Sequence, residues 1–182
     1  MEIPPQAKRV FQGVIFEVYQ WEQKMFDGTT EIFEAIKRPG TVQVIPTIGN
    51  KILLAYEEQP GKPRAYSLFG GRMEKDEEPI HAIKRELLEE TGMESIDWEL
   101  YKEYIPEGKI EWPMYVYIAR DCKKVTEPKL DAGEKIEIKE VTVDAFLEIV
   151  CREDFWGSNV SLDMLRIKQD PQKLATFKAK LF

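Results

Sequence analysis

Residues 71–93 read G-R-M-E-K-D-E-E-P-I-H-A-I-K-R-E-L-L-E-E-T-G-M, a run of acidic residues followed by an apolar pattern with helical spacing. Pro79 fits the first position of a helix, because its φ is fixed and it has no N–H to leave unpaired. Gly92 follows the apolar pattern at the place of a left-handed cap. The stretch therefore predicts one helix that begins near Pro79 and ends at about Thr91.

Three glutamates of this predicted helix indicate a metal site. Glu86 lies three residues before Glu89 and four before Glu90. Side chains at this spacing share one face of a helix, where like charges repel one another. A cation would remove the repulsion, and hard carboxylate oxygens suit Mg²⁺ or Mn²⁺. Mg²⁺ usually keeps room for water and substrate phosphate, so the pattern predicts an open metal site for phosphate chemistry.

The same stretch resembles the Nudix box, whose pattern is G-x(5)-E-x(7)-R-E-U-x-E-E-x-G-U with U an apolar residue. Every defined position is filled, at Gly71, Glu77, Arg85, Glu86, Leu87, Glu89, Glu90, Gly92 and Met93. The resemblance implies an α/β (α+β) Nudix fold, in which a mixed β-sheet is sandwiched between helices. It also implies that the box forms a loop, a helix and a second loop that together hold the metal.

The resemblance assigns roles to residues in and beside the box. Glu86, Glu89 and Glu90 are expected to bind Mg²⁺ (or Mn²⁺), and Gly70, without a side chain, to bring its carbonyl close to the cation. Arg85 is expected to support catalysis as a brace, because a guanidinium can hold neighbouring carboxylates through paired hydrogen bonds.

The general base is expected to be a glutamate that takes a proton from the attacking water. The candidates are Glu134, in a segment that resembles a late acidic loop of the family, and Glu89. The sequence gives no distances, so both candidates stay open.

Beyond the box, the chain is similar to ADP-ribose pyrophosphatases and related nucleoside-diphosphate-sugar hydrolases. The resemblance implies that Arg38 or Arg64 holds phosphate, that Phe33 helps to hold the base, and that Pro106 belongs to a proline–glycine loop near the substrate. Each residue also has a purely structural alternative. Arg38 could be a cation at the end of a strand, Phe33 could be part of a core or interface, and Pro106 could only shape a turn. The chain departs from the subgroup at residues 67–69, where Ser-Leu-Phe replaces a glutamate and a Pro-Ala or Pro-Gly pair.

The expected reaction is hydrolysis of the pyrophosphate bond in a nucleoside diphosphate linked to another moiety. On ADP-ribose the products would be AMP and ribose 5-phosphate. An alternative within the enzyme class is another nucleotide, such as a GDP-sugar, a UDP-sugar, a dinucleoside polyphosphate or NADH. The alternative from another class is a non-catalytic nucleotide-sensing module, but such a module does not need every metal ligand.

Length and composition predict one compact domain. The 182 residues are 43% hydrophobic with a net charge of −7, which argues against a nucleic-acid surface. Residues 1–40 are expected to form a strand arm that pairs with a second subunit as a homodimer, and residues 41–182 the Nudix domain with C-terminal helices. The sequence contains no run of about 18 apolar residues, so no membrane-spanning helix is predicted. Cys122 and Cys151 are expected to be free thiols in a reducing cytoplasm.

Outside the box, residue patterns predict further strands and helices. The strands are expected at residues 10–19 and 31–37 of the arm, at 41–46 and 51–56 in a second hairpin, and at 114–119 and 136–143; the helices are expected at 144–151 and 160–168.

Overall fold

A computed structural model describes residues 2–182, which form thirteen strands and four helices. In chain order these are β1 (Lys8–Gln12), β2 (Glu17–Lys24), β3 (Thr30–Lys37), β4 (Thr41–Ile48), β5 (Lys51–Glu58), β6 (Ala65–Ser67), β7 (Phe69–Arg72), α1 (Pro79–Thr91), β8 (Met93–Glu94), β9 (Asp97–Tyr104), β10 (Ile110–Glu111), β11 (Met114–Arg120), β12 (Lys123–Lys124), β13 (Lys135–Val141), α2 (Val143–Ile149), α3 (Ser158–Lys168) and α4 (Pro171–Leu181). Met1 of the predicted arm lies outside the described residues.

The central sheet has seven strands. Five of them follow the order β13-β5-β4-β11-β9, while β6 pairs with β5 and β7 pairs with β4. Strand β11 runs parallel to β4, and the other pairings of this sheet are antiparallel. The sheet is therefore mixed, as predicted.

Helices cover both faces of this sheet. Side chains alternate along each buried strand, so neighbouring residues pack against helices on opposite faces. Val44 of β4 packs on one face in a cluster with Leu87 of α1. Ile45, the next residue, packs on the other face with Met164 of α3 and with side chains of α2 and α4. The predicted sheet sandwiched between helices is confirmed.

Helix α1 has the bounds that the sequence predicts. It begins at Pro79 and ends at Thr91, and Gly92 follows with a φ of 69°. The Gly92 N–H donates to the carbonyl of Leu88 at 2.8 Å, and a Cβ at Gly92 would lie 2.1 Å from the carbonyl oxygen of Thr126. Glycine is required here for its conformation and also for its small size.

Strands β1, β2 and β3 of residues 1–40 form a four-stranded sheet with β10, in the order β1-β2-β3-β10, and the antiparallel hairpin in it was predicted. The prediction of one continuous strand over residues 10–19 is wrong. The chain turns between β1 and β2, where the Gly13 N–H donates to the carbonyl of Phe16 at 2.8 Å. The turn that contains Gly28 joins β2 to β3, which pair on either side of it.

The remaining predicted elements are present within a few residues of their expected bounds. The second hairpin is β4 and β5, the later strands are β11 and β13, and the later helices are α2 and α3. Strand β9 and helix α4 were not predicted. No helix within residues 2–182 is long and apolar enough to cross a membrane.

The substitution Gly92→Ala tests the contact between the end of α1 and the loop after it. A matched control is Gly49→Ala, because Gly49 also has a positive φ but faces open space. We expect Gly49→Ala to cost about 1–2 kcal/mol, the penalty of a left-handed alanine. Gly92→Ala should reduce the free energy of unfolding in urea by clearly more, since the methyl group also meets Thr126. Equal losses in the two variants would contradict the packing role.

Candidate active site

Two glutamates of α1 lie against the glycine pair of β7. Glu90 is only 6% exposed, and its Oε2 accepts a hydrogen bond from the Gly70 N–H at 2.7 Å. A Cβ at Gly71 would lie 2.6 Å from Oε1 of Glu86, so a larger residue would push this carboxylate away. The glycines therefore bring a strand backbone into direct contact with both carboxylates.

Gly70 has a second reason to be glycine. Its φ is 138°, and a Cβ there would lie 2.1 Å from the carbonyl oxygen of Val42 in β4. Only glycine fits this backbone shape and this close approach. The structure places the N–H of Gly70 on Glu90, and the role of its carbonyl toward a cation stays a prediction.

Arg85 contacts three carboxylates of the box. Its Nε and one terminal nitrogen donate to the two oxygens of Glu77, each at 3.0 Å. The other terminal nitrogen donates to Glu86 at 2.8 Å and to Glu89 at 3.1 Å. These hydrogen bonds lower the pKa of Glu77 and raise that of Arg85. Arg85 therefore offsets part of the repulsion among the acids and fixes the direction of Glu86.

Glu134 is brought to the site by a loop fastened to the end of α1. The Lys129 N–H donates to the carbonyl of Glu89 at 2.7 Å, and the Val125 N–H donates to that of Gly92 at 2.8 Å. Glu134 is half-buried, and burial raises the pKa of its carboxyl, with the negative charge of Glu89 acting in the same direction. The structure thus places Glu134 within electrostatic range of the α1 acids.

A further carboxylate of the site was missed by the sequence analysis. Glu57 of β5 is 7% exposed and accepts hydrogen bonds from Ser67 Oγ at 2.5 Å and Gln59 Nε2 at 3.1 Å. Its charge acts on Glu90 and Glu134, since it is among the causes that raise their pKa values. Ser67 occupies the position where the subgroup often has a glutamate, and here it holds a carboxylate from the neighbouring strand.

The signal that could have revealed Glu57 is its place in the alternation of β5. Leu53 and Ala55 face α1, and Glu57 continues the same face two residues later. An acidic residue at a core-facing position is unusual unless it has a partner or a function. The pattern was available in the sequence, but the strand partner Ser67 was not.

Glu90 and Glu86 are held in conditions that disfavour their charged form. Burial raises the pKa of Glu90 well above its usual value, and the negative charges of Glu86, Glu134 and Glu57 add to this. Burial also raises the pKa of Glu86, against the opposing effect of Arg85. Ionised acids in this arrangement destabilise the protein unless a cation lies among them.

The donor set fits a divalent cation in chemistry, because it consists of hard oxygen ligands. Across residues 2–182, no three acidic, histidine or cysteine side chains converge closely enough to enclose one ion. Glu86 is instead bonded to Arg85 and Glu90 to the Gly70 N–H. An open arrangement of this kind suits Mg²⁺, which is usually held by one or two carboxylates together with water and substrate phosphates.

Two of the residues predicted to bind substrate contact parts of the chain other than α1. Phe33 packs edge to face on Trp21 in the arm, with ring centroids 5.9 Å apart. Arg64 pairs with Glu137 of β13 at 3.1 Å and lies 4.5 Å from the ring centroid of Tyr56. These contacts favour packing roles within a single chain.

The other two lie near the junction of the arm with the central sheet. Pro106 belongs to the loop that joins β9 to β10, and β10 pairs with β3. Arg38 directly follows β3, and its guanidinium lies 4.3 Å from the ring centroid of Trp112. Within residues 2–182, Arg38 forms no ion pair, which leaves its charge available to a ligand.

Known proteins resemble this chain in sequence and in fold. The sequence profile of the NUDIX domain matches residues 37–156. The chain is 25% identical over 168 residues to an ADP-ribose pyrophosphatase from Bacillus subtilis (strain 168), covering 89% of this chain and 91% of that protein. It is 28% identical over 172 residues to a methanol dehydrogenase activator from Bacillus methanolicus, covering 90% and 91%. A crystal structure of an ADP compounds hydrolase has a similar fold, with a TM-score of 0.70, 19% identity and coverage of 91% of this chain and 93% of that chain.

The substitution Glu90→Gln tests the electrostatic state of the site without a metal. Folding raises the pKa of Glu90 above its ordinary value of 4.5, so the folded state favours the protonated carboxyl. The stabilisation from this protonated form is complete below pH 4.5 and is lost as the pH rises. Gln mimics the protonated form. In EDTA, Glu90→Gln should therefore be more stable than wild type at pH 7–8, and the difference should shrink toward about pH 4; a gain of about 1 kcal/mol would raise Tm by about 2–4 °C.

The control for this experiment is Glu89→Gln, because Glu89 is on the same helix but its side chain is 45% exposed. We expect its effect on stability to stay within about 0.5 kcal/mol. Adding Mg²⁺ should raise the Tm of wild type and have much less effect on Glu90→Gln. A wild-type Tm that does not respond to Mg²⁺ or Mn²⁺ would contradict the metal site.

Proposed function

The chain belongs to the Nudix family, which confirms the resemblance of residues 71–93, and on this premise we propose that it is a divalent-metal-dependent hydrolase. Its reaction is cleavage of the pyrophosphate bond in a nucleoside diphosphate linked to another moiety. We propose ADP-ribose as the first substrate to test, with AMP and ribose 5-phosphate as products. The observation that carries the proposal is the contact of Glu86 and Glu90 with the backbone of Gly70 and Gly71 in a complete box.

In this proposal, Glu86 and Glu90 hold Mg²⁺ (or Mn²⁺), with Glu89 as a further ligand from the box. When bound, the cation supplies positive charge that neutralises the diphosphate and favours ionisation of the attacking water. Arg85 positions Glu86, and the Gly70 N–H positions Glu90, before substrate arrives. Prepositioned groups of this kind lower the barrier because they need not reorganise during the reaction.

We propose Glu134 as the general base. Burial raises the pKa of its carboxyl, which makes the ionised form a better proton acceptor. Glu89, the other candidate, has one carboxylate oxygen bonded to the Arg85 guanidinium at 3.1 Å, so that oxygen is already occupied by a hydrogen-bond donor. Glu134 forms no ion pair in the described part of the chain, so no cationic side chain competes for the proton that it would accept.

The proposed substrate class has support from sequence. A relative named ADP-ribose pyrophosphatase covers 89% of this chain at 25% identity. Other nucleoside diphosphate derivatives belong to the same chemical class and are compared with ADP-ribose in the assay below. The intact acidic set argues against a module that only senses nucleotides, because binding alone does not need a strong base or every metal ligand.

We propose that the arm, residues 1–40, joins two copies of the chain in a homodimer. Apolar side chains on one face of its sheet are exposed, among them Phe11 at 56% and Ile32 at 63%. Exposed apolar side chains on a sheet with a free edge strand favour association with another chain.

Cys122 and Cys151 are free, which supports a reducing cytoplasmic location.

Turnover assays test the catalytic assignments. Purified protein with Mg²⁺ should release AMP from ADP-ribose, measured by chromatography beside GDP-sugars, UDP-sugars, dinucleoside polyphosphates and NADH. Glu90→Gln should lower kcat by about 100-fold or more. Loss of a general base should lower kcat about 10²–10⁴-fold, so we expect this of Glu134→Gln together with loss of the acidic limb of the pH–rate profile.

The matched control is Glu78→Gln, because Glu78 is an exposed glutamate at the start of the same helix and makes no capping bond from its side chain. It should leave turnover unchanged. Full activity of Glu90→Gln would remove the metal assignment. A larger loss and an altered pH profile in Glu89→Gln, with little change in Glu134→Gln, would move the base to Glu89.

The oligomeric state is tested by light scattering after gel filtration. Wild type should have the mass of a dimer, and Ile32→Glu should shift it to a monomer because a charge would have to be buried in the interface. Leu162→Glu is the control, since Leu162 is also exposed but lies on α3, away from the arm. A wild-type monomer at micromolar concentration would contradict the proposed homodimer.

A further inference from the structure

Two side-chain polar atoms within residues 2–182 are buried without a hydrogen-bond partner: Nε of Arg38 and Oε1 of Gln43. A buried polar atom without a partner destabilises a protein, and each instance calls for a physical explanation. Both residues lie close to the start of β4. A ligand that supplies the missing partners would explain both.

Gln43 lies beside the candidate active site. It is the register partner of Gly70 in β7, and its Cα is 2.8 Å from the position that a Cβ would take on Gly70. The N–H of Gly70 is bonded to Glu90. Gln43 is therefore separated from the acidic site by a single strand. Its neighbours Val42 and Val44 face α1, so the Gln43 side chain faces the opposite side of the sheet.

Trp112 connects Gln43 to Arg38. Its Nε1 donates to Oγ1 of Thr41 at 2.9 Å, and Thr41 precedes Gln43 by two residues on the same face of β4. One face of the Trp112 ring carries the guanidinium of Arg38 at 4.3 Å. Two residues of a strand span about 7 Å, so the orphaned amide and the stacked guanidinium are within reach of one small ligand.

Arg72 adds a second positive charge at the same place. It is the register partner of Thr41, and its charge, after burial, lowers the pKa of Arg38. Neither arginine forms an ion pair within the described chain, although the protein carries a net charge of −7. Two neighbouring cations without a counter-ion repel each other, and an anionic ligand would remove that repulsion.

We propose that Gln43, Trp112 and Arg72 extend the active site as a groove that binds the nucleoside phosphate half of the substrate. Arg72 acts with Arg38 on an anionic phosphate group. The Gln43 amide accepts a hydrogen bond from the nucleoside, either from an exocyclic amine or from a ribose hydroxyl. The identity of the ligand as a nucleoside phosphate rests on the proposed function, whereas the groove itself rests on the two orphaned atoms and the unpaired arginines.

The substitution Gln43→Leu separates a ligand-binding amide from a structural one. Leucine has a similar volume and no polar atom, so Tm should rise or stay level because the unpaired amide is removed. Binding of AMP, measured by calorimetry in EDTA, should weaken about 3–10-fold, the value of one hydrogen bond. The matched control Gln169→Leu, at the exposed end of α3, should leave AMP binding unchanged.

Two further probes identify the group that Gln43 recognises. If the amide binds the exocyclic amine, Gln43→Leu should weaken binding of AMP but not of inosine monophosphate or ribose 5-phosphate. If it binds a ribose hydroxyl, all three should weaken together. Both results support the proposal and differ only in the atom that is recognised.

Arg72→Gln tests the anionic end of the groove. It should weaken AMP binding about tenfold and reduce the dependence of affinity on salt, while Arg72→Lys should restore part of the affinity. Arg166→Gln, an exposed arginine on α3, is the control for loss of one positive charge.

The groove is overturned if wild type does not bind AMP in EDTA, or if Gln43→Leu and Arg72→Gln both bind it like wild type. These outcomes are distinct from failure of the proposed function. A protein that binds AMP through Gln43 but hydrolyses no nucleotide with Mg²⁺ would keep the groove and lose the enzymatic assignment. A protein that hydrolyses ADP-ribose normally in both variants would keep the activity and lose the groove.

Discussion

The hydrogen bond from the Gly70 N–H to Glu90 joins the two parts of the site on which all other features depend. It connects β7, which is paired with β4 of the central sheet, to the last turn of α1. Because Gly70 and Gly71 have no side chains, the strand backbone approaches the α1 carboxylates directly. A side chain at either glycine would separate the helix from the strand, and the acids would no longer face one common space.

The same closeness makes the site unfavourable for the protein alone. Glu90 and Glu57 are buried, and burial and mutual repulsion raise the pKa of Glu90. Arg85 offsets only the outer part of the cluster, because it contacts Glu86 and Glu89 but not Glu90 or Glu57. The uncompensated negative charge therefore lies at the buried end of the cluster, where a cation would be held most strongly. This arrangement is expected of a site that gives up stability in order to bind a ligand.

The sequence predicted those features whose signals are local. The helix and its ends follow from Pro79, the apolar spacing and Gly92, all within one stretch. Glu57 was missed because its meaning depends on Ser67, which is ten residues away in sequence and adjacent only after β5 and β6 pair. The single strand predicted over residues 10–19 is wrong because the apolar pattern continues through the turn that separates β1 from β2. Strand β9 was missed because its charged residues give an edge strand little apolar signal.

Strand β4 separates two groups of unfavourable contacts, and one ligand could relieve both. On the α1 side, buried acids repel one another; on the other side, Oε1 of Gln43 and Nε of Arg38 have no hydrogen-bond partner within the described chain. A nucleoside diphosphate derivative contains both complements, since its phosphates recruit a divalent cation and bind arginine while its nucleoside offers hydrogen-bond donors. One ligand that crosses the edge of β7 would satisfy both groups at once. Each group alone would be a local defect, whereas the proposed ligand would make them the two ends of a single binding site.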